Sequence, residues 1–267
     1  MKNKNGIFLW RVACVFWIAF FLGKSPSFAA NQSQEAWQAG QDFYQYLWKG
    51  DFTNVFERIK QDPKIVNRPL WTGDTPILVA SESGHPDVVE LLLMNHADIN
   101  VRGRFGETAL HYAVNKGDAK TAEVLLKYKA DINAQNDNHI PPICYAFKNV
   151  EVLKVLLAHG ADINANGTMN SPLAMALGNY KNTGPGVIEF IVTNGLDVSK
   201  CDQGPIIDVL FRNDTNLMKL LLPLYVNTTN PAVLRNANLV LYHSPIIYGI
   251  YSCFSFAVVR GFGHGQT

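Results

Sequence analysis

Apolar residues in the central part of the chain fall at helical spacing, and short polar stretches separate one apolar group from the next. Val88, Leu91 and Leu92 stand at positions i, i+3 and i+4, which places them on one face of a helix. A single pair of short helices could not bury such a face by itself. The pattern therefore predicts several helix pairs that stack on one another.

The tetrapeptide Ala-Asp-Ile-Asn gives this pattern its period, because it occurs three times. Its copies are Ala97–Asn100, Ala130–Asn133 and Ala161–Asn164, at intervals of 33 and 31 residues. A period of this length is typical of a solenoid built from repeated units. We expect the tetrapeptide to lead out of a second helix into a turn, where Asp and Asn side chains bond nearby backbone amides.

The residues before the first two copies are also similar to each other. Gly73–Ala80 reads GDTPILVA and Gly106–Ala113 reads GETALHYA, and a glycine (Gly84, Gly117) and a run rich in Val and Leu follow each. This closely resembles the ankyrin repeat, whose pattern is G-x-T-P-L-H-x-A, then G-H/D, V-V-x-L-L-L and G-A-D-V/I-N, and the likeness is dense over Trp71–Ala134. The resemblance implies an all-α solenoid of stacked helix–turn–helix units with β-turn or hairpin tips.

Single residues predict the ends of the helices in the best-matched unit. Thr75 can cap the start of a helix, and Pro76 suits its first turn because proline has no amide hydrogen to leave unbonded. Gly84 is suited to ending that helix, and Asp87 to starting the next.

Two residues depart from the pattern of the family at a place that usually holds glycine. His96 and Lys129 stand directly before Ala-Asp, where Gly160 and Gly195 follow the family. If the backbone is left-handed there, each non-glycine residue costs roughly 1–2 kcal/mol. We therefore expect glycine at either position to stabilise the protein.

The repeats are expected over residues 41–225 and become less regular toward both ends. Their approximate limits are 42–69, 70–102, 103–135, 136–165, 166–199 and 200–225. The first unit is expected to have a more polar outer face, and the fourth is two residues shorter between its helices. The linker Gly178–Gly186 of the fifth is rich in Gly, Asn and Pro, which predicts a protruding, mobile loop.

The tail, residues 226–267, allows more than one interpretation. It is a degenerate terminal repeat, an apolar tail that associates with a membrane, or a segment of another kind. Residues 239–259 are largely apolar, but His, Ser and Pro within them weaken the interpretation as a membrane span. Because repeat arrays normally end in a polar cap, an apolar end indicates self-association or an extra partner.

The N-terminal residues 1–29 have the layout of a secretory signal peptide. Lys2, Lys4 and Arg11 precede the apolar run Val12–Leu22, and small residues lead to a cut after Ala29. The run is about half the length that crosses a bilayer comfortably. We expect cleavage and a secreted or periplasmic protein; the alternative is an uncleaved membrane anchor.

Composition and charge indicate a folded protein without a strong electrostatic partner. The chain is 48% hydrophobic and 17% charged, and its net charge of +1 gives no reason to expect nucleic acid. Beyond the signal peptide there are three cysteines, Cys144, Cys201 and Cys253, which cannot all pair internally and match no zinc pattern. We interpret them as buried small residues, and their disulfide state stays open.

No motif in the chain indicates catalysis. There is no G-x-S-x-G, no G-x-x-x-x-G-K and no C-x-x-C. The resemblance implies that His85 and His111 make hydrogen bonds between loops and helices rather than bind a metal. We therefore expect no enzyme activity, no cofactor and no metal site.

The resemblance implies that partners bind at the turn tips and inner helices, which form a concave face. Exposed Trp and Phe side chains are costly in water unless they are used, and Trp, Tyr and Arg dominate binding hot spots. The alternative is that Trp71 or Phe105 folds back over its own repeat. The expected protein-binding residues are Trp71, Asp74, Glu82, Arg102, Arg104, Phe105, Glu107, Asn115, Lys116, Asp137, Asn138 and His139.

The sequence thus predicts an exported, non-catalytic module that binds another protein, whose identity the residues do not give. One alternative is a secreted effector that acts on a host or competing cell. Another is a scaffold tethered to a membrane by its C-terminal segment.

Overall fold

The computed structural model describes residues 26–165, 171–184, 186–197, 216–217 and 219–221. Regular structure in these residues is helical throughout, with no β-strand, which confirms the all-α fold class. The α-helices are α1 (Pro26–Lys49), α2 (Phe52–Gln61), α3 (Pro76–Ser83), α4 (Pro86–Met94), α5 (Ala109–Lys116), α6 (Ala119–Lys127), α7 (Val150–Ala158), α8 (Pro172–Gly178) and α9 (Val187–Thr193). The 3₁₀ helices are Pro63–Asn67, Arg104–Gly106, Pro142–Lys148 and Tyr180–Asn182.

The chain divides into two compact units between Arg104 and Phe105. In the first unit, α1 pairs with α2 and α3 pairs with α4, while α1 lies beside α3 and α2 beside α4. Side chains from all four helices meet in the core, and the expected apolar face of α4 is buried there. The largest of these buried side chains are Phe43, Leu47, Ile77, Leu78 and Leu92.

The second unit repeats this layered arrangement. The helix α5 packs against the 3₁₀ helix Pro142–Lys148, which in turn packs against α8, while α6 lies beside α7. First elements of each repeat thus form one layer, and second helices form another. The largest fully buried side chains between the layers are Leu110, Leu125, Ile143, Leu153, Leu156 and Leu173.

Most of the expected helix ends are confirmed in α3 and α4. Thr75 is the N-cap of α3 with Pro76 in the first turn, Gly84 ends the helix in the left-handed region, and Asp87 lies in the first turn of α4. The Thr75 side chain does not make a capping bond, and its buried Oγ1 has no hydrogen-bond partner among the described residues.

The fourth repeat replaces its first α-helix with the 3₁₀ helix Pro142–Lys148. A 3₁₀ helix rises about 2.0 Å per residue, against about 1.5 Å for an α-helix, so fewer residues cover the same distance. This repeat is the one that is two residues shorter between its helices. Asn149 follows at once as the N-cap of α7 and accepts a hydrogen bond from the Glu151 amide.

Left-handed backbone recurs at three fixed places in the repeat. The ends of first helices have it at Gly50, Gly84 and Gly117, and the turn tips at Gly73, Gly106 and His139. The residues after second helices have it at His96, Lys129, Gly160 and Gly195. The left-handed backbone expected at His96 and Lys129, with φ of 65° and 70°, is therefore present. Among described non-glycine residues with positive φ, Phe105 alone lies outside these sets.

The Ala-Asp-Ile-Asn unit forms the turn that was expected of it. In each copy the Asp side chain accepts a hydrogen bond from the Asn amide two residues on, as Asp98 does from Asn100 at 3.1 Å. The Asn at the end of the third copy also binds the next repeat. Its Nδ2 donates to Gly195 O at 3.0 Å, and its Oδ1 accepts from the Asp197 amide at 2.7 Å.

Asn67 makes the same pair of bonds in the first unit, to His96 O at 2.9 Å and from the Asp98 amide at 2.8 Å. Asn67 does not belong to an Ala-Asp-Ile-Asn copy, yet it ends the first repeat in the same way. An asparagine at this place thus joins consecutive repeats once in each unit, through Asn67 in the first and Asn164 in the second.

The outer face of the first repeat is largely polar, as expected, because most of the exposed residues of α2 are polar or charged. Phe52 and Phe56 are exposed on the same helix. The linker Gly178–Gly186 does not protrude in its described part, because the Gly184 amide donates to Phe147 O at 2.9 Å. A Cβ on Gly184 would lie 2.2 Å from Lys148 O, so the close approach requires glycine.

Several expectations fall on residues outside the described part. These are the apolar run of the signal peptide, the sixth repeat except for five residues, and the whole tail with residues 239–259. The expected cut after Ala29 falls within α1, which begins at Pro26. Within the described ranges, no helix combines the length and the apolar character that crossing a membrane requires.

Candidate protein-binding surface

Three aromatic rings meet on the surface of the first unit. The ring centroids of Tyr44 and Trp48 are 6.1 Å apart and nearly parallel, and those of Tyr44 and Trp71 are 5.5 Å apart in an edge contact. Trp71 is 60% exposed and Trp48 is 42% exposed. We call these residues, together with the carboxylates of Asp74 and Glu82, the aromatic surface.

Helix α1 positions two of the rings. Phe43 and Leu47 point into the core and are fully buried, and each precedes one of the aromatic residues by one position. A step of one residue turns the side chain by about 100° around a helix, so Tyr44 and Trp48 lie at the edge of the buried face. Their spacing of four residues brings them together along that edge.

A tight turn holds Trp71 beside them. The Leu70 amide donates to Asp74 O at 2.8 Å, and the Gly73 amide donates to Leu70 O at 2.9 Å. Gly73 has a φ of 92°, which a residue with a side chain adopts only at a cost. Trp71 therefore contacts Tyr44, and most of its surface remains in solvent.

The aromatic surface carries more negative than positive charge. Burial raises the pKa of Tyr44, and the carboxylates of Glu82 and Asp74 raise it further, whereas the Arg104 guanidinium opposes them. Arg104 also donates from Nη2 to Thr72 O at 3.1 Å, which ties it to the turn. Four of the expected residues, Trp71, Asp74, Glu82 and Arg104, are thus gathered around Tyr44.

Polar residues behind the rings fix the backbone. The ring of His85 lies 3.0 Å from Trp48 O through Nε2, and it leaves no room for a side chain on Gly50. The Ser83 hydroxyl donates within α3 to Val79 O at 2.9 Å and lies 3.3 Å from Leu47 O. The hydrogen-bonding role expected of His85 is therefore present.

The second unit presents a different surface at its first tip. Phe105 is 71% exposed and has a φ of 59°. Its carbonyl accepts a hydrogen bond from the Asp137 amide at 2.8 Å, which holds the strained backbone in place. We call Phe105, Glu107, Asp137, Asn138 and His139 the Phe105 tip.

Buried Asn136 organises the rest of this tip. Its Oδ1 accepts hydrogen bonds from the amides of Asn138 and Ile140, each at 3.0 Å, and its Nδ2 donates to the Tyr145 hydroxyl at 3.0 Å. The turn that results has the same backbone bonds as the one at Trp71, from Asn136 N to Ile140 O and from His139 N to Asn136 O. His139, with a φ of 58°, takes the place that Gly73 has there.

Burial raises the pKa of Tyr145, and the nearby Glu107 carboxylate adds to the rise, while the bond from Asn136 acts against it. His111 supports the same turn from α5. Its Nδ1 accepts from the Thr108 amide at 3.1 Å, and the hydrogen-bond pattern assigns the ring proton to Nε2, which lies 3.0 Å from Ile140 O. The bonding role expected of His111 is present.

The remaining expected residues do not join either surface. Asn115 accepts a hydrogen bond from Lys148 Nζ at 3.3 Å, which links the ends of two first helices. Lys116 and Arg102 are exposed. The expected set therefore divides into four residues around Tyr44, five at the Phe105 tip and three elsewhere.

Tyr44, Trp48 and Asn136 are the contributors that the sequence analysis missed. The spacing of Tyr44 and Trp48 beside two apolar residues was the available signal for the first pair. Asn136 gave no signal beyond its place directly before the expected tip residues.

No group of three or more His, Cys, Asp or Glu residues in the described ranges could hold a metal ion. Cys144 is a free thiol, and burial raises its pKa to about 12, so it remains protonated and unreactive at neutral pH. Its interpretation as a buried small residue is confirmed.

Comparison with known proteins shows which part of the chain resembles a known family. Residues 43–136 and 77–167 match the family model for ankyrin repeats, in three copies. An ankyrin repeat protein of fowlpox virus (strain NVSL) is 33% identical over 140 residues, which is 48% of this chain and 40% of the viral protein. The chain therefore matches less than half the length of that curated relative.

Proposed function

We propose that this protein is an exported, non-catalytic module that binds a partner protein through its turn tips and inner helices. The premise is that residues 43–167, which match the family model for ankyrin repeats, are repeats of this kind. Ankyrin repeats act typically in protein–protein interaction and typically without catalysis, which supports the general part of the proposal. The use of particular residues and the export are our own inference.

The observation that carries the proposal is the backbone of Phe105. Its φ of 59° lies at a place where the repeat pattern does not require left-handed backbone, and a bulky residue there is a true outlier. The ring gains no burial in return, since it is 71% exposed. Backbone strain that buries no side chain is found at binding sites, where it presents the side chain to a ligand.

Export rests on the N-terminal residues. Positive charge before Val12–Leu22 and small residues up to Ala29 favour cleavage by a signal peptidase, so the exported protein should begin near Ala30 or Asn31. N-terminal sequencing of the exported chain tests this. An N-terminus at Met1 would contradict cleavage, and recovery from the medium or a target cell would favour the effector alternative.

Affinity capture tests the binding function. The purified chain is immobilised and exposed to envelope proteins of the cells that produce it, alongside Phe105→Ala and the matched control Lys120→Ala. Lys120 is exposed on α6 and belongs to neither surface. We expect a specific partner to be retained by the wild-type chain and the control, and lost with Phe105→Ala.

The partner should bind Phe105→Ala more weakly by about 2 kcal/mol, the size of a hot-spot residue. Circular dichroism should give the same helix content for the three chains. Equal capture by Phe105→Ala would contradict the assignment of the tip, and a specific loss with Lys120→Ala would place binding on the outer helices instead.

A further inference from the structure

We propose that the aromatic surface binds a Lys or Arg side chain, so that the partner presents a basic segment to the first unit. This inference rests on the proposed function, since it names the chemistry of the partner at a second surface of the same protein. It is carried by the exposed rings of Trp48 and Trp71 together with the carboxylates beside Tyr44.

The rings offer a surface that the core does not use. Trp71 is 60% exposed and Trp48 is 42% exposed, while Tyr44 lies between them in contact with both. The faces of aromatic rings carry negative electrostatic potential and attract a cation within about 6 Å of the ring centre. Trp provides the strongest attraction of this kind.

The charges around the rings favour the same ligand. Glu82 and Asp74 both act on the Tyr44 ring, against one opposing charge from Arg104. Glu82 is exposed at the end of α3 and makes neither a salt bridge nor a hydrogen bond with another described residue. An incoming ammonium or guanidinium group could therefore pair with a carboxylate and lie on a ring at once.

Lys49 follows Trp48 in the sequence, and Asp51 provides a carboxylate for it. Hydrogen bonds from Asn54 lower the pKa of Asp51, and the Lys49 ammonium group adds to that lowering. An anionic ligand would meet two carboxylates here, and a purely apolar one would leave Glu82 without a partner.

Peptide binding tests the inference without any knowledge of the natural partner. The probe is a fluorescently labelled synthetic peptide with three Arg residues separated by Gly-Ser, compared with the same peptide in which uncharged citrulline replaces each Arg. Fluorescence anisotropy with the purified full chain is measured at about 0.15 M salt, where screening within about 8 Å weakens long-range attraction.

We expect the Arg peptide to bind at least about fivefold more tightly than the citrulline peptide. Trp71→Leu and Glu82→Gln should each weaken binding about two- to fivefold, the range of exposed cation–π and ion-pair contacts. The matched controls Phe56→Leu and Glu57→Gln, both exposed on α2, should leave it unchanged. Arg104→Gln should strengthen binding, because it removes the opposing charge.

Equal binding of the two peptides, absence of binding, or equal losses with the control variants would overturn the inference. Weaker binding after Arg104→Gln would also contradict it. Partner capture that depends on Phe105, combined with failure of the peptide, would reject this inference and leave the proposed function standing. Peptide binding without Phe105-dependent capture would reject the assignment of binding to the Phe105 tip and leave this inference standing.

Discussion

Two residues of the second unit, Lys129 and Phe105, both have left-handed backbone, but they differ in whether other repeats share that conformation. Lys129 has a φ of 70° at the place where four of the described repeats turn out of their second helix, and His96, Gly160 and Gly195 adopt the same conformation there. Phe105 has a φ of 59° at a place where its counterpart in the preceding repeat, Thr72, does not. The backbone strain at Lys129 is therefore part of the repeat pattern, whereas the backbone strain at Phe105 is specific to one tip.

This difference gives a way to separate structural from functional residues in a repeat protein. A costly feature that recurs with the period is explained by stacking, because every unit must make the same turn. A costly feature that occurs once has no such explanation. Phe105 is also exposed, so burial of its ring in the core does not account for the cost.

The largest effect on this comparison should come from Asn136→Ala. Asn136 is 3% exposed, and its loss leaves the Asn138 and Ile140 amides and the Tyr145 hydroxyl without their partner. We expect a loss of about 3 kcal/mol in the free energy of unfolding. Urea denaturation measures it, with exposed Asn138→Ala as a control that should change stability by less than about 0.5 kcal/mol.

If Asn136→Ala proved nearly neutral, the turn that donates the Asp137 amide to Phe105 would not need its buried amide side chain. The Phe105 backbone would then have to be held by other contacts. The result would contradict the explanation that the Asn136 turn fixes the position of the Phe105 ring.

The two N-cap threonines extend the comparison to another repeated position. Thr108 Oγ1 lies 2.9 Å from His111 Nδ1, whereas Thr75 has Leu78 in the corresponding place and its buried Oγ1 has no partner in the described chain. Thr108→Val should therefore lower stability by about 1–2 kcal/mol, and Thr75→Val should raise it by about 1 kcal/mol. Thermal melts of both variants check the signs, and a shared sign would refute this explanation.

The smallest effects should come from the two turns that the repeat requires. Glycine at His96 or Lys129 relieves about 1–2 kcal/mol of strain, but it also gives the unfolded chain about 0.5–1 kcal/mol more entropy. We expect His96→Gly and Lys129→Gly each to raise stability by roughly 0.5–1 kcal/mol. Lower melting temperatures for both would show that these side chains contribute contacts that outweigh the strain.

Local chemistry made much of the fold predictable. Pro76, Gly84 and Asp87 fix the ends of α3 and α4, and the Asp of each tetrapeptide forms its turn within two residues. The left-handed backbone at His96 and Lys129 followed from comparison with glycine at equivalent places. All of these features depend on residues close together in the sequence.

Features that depend on distant partners were not predictable in the same way. The contact between Tyr44 and Trp71 arises because α1 packs beside α3, and the residues between them carry no sign of it. Thr75 Oγ1 makes no hydrogen bond with any described residue, and Leu78 has no side-chain atom like the His111 Nδ1 that lies beside Thr108 Oγ1. The 3₁₀ form of Pro142–Lys148 depends on the distance that a shortened repeat must cover, which apolar spacing alone does not specify.

The most direct test of the central claim is to measure stability and partner affinity together for Phe105→Gly and Lys129→Gly. Glycine at either position relieves left-handed strain, so both variants should be more stable by roughly 0.5–1 kcal/mol. We predict that Lys129→Gly binds the captured partner normally, while Phe105→Gly binds it more weakly by about 2 kcal/mol despite its greater stability. Full affinity of Phe105→Gly, or loss of its stability, would contradict the claim that this tip is strained for recognition.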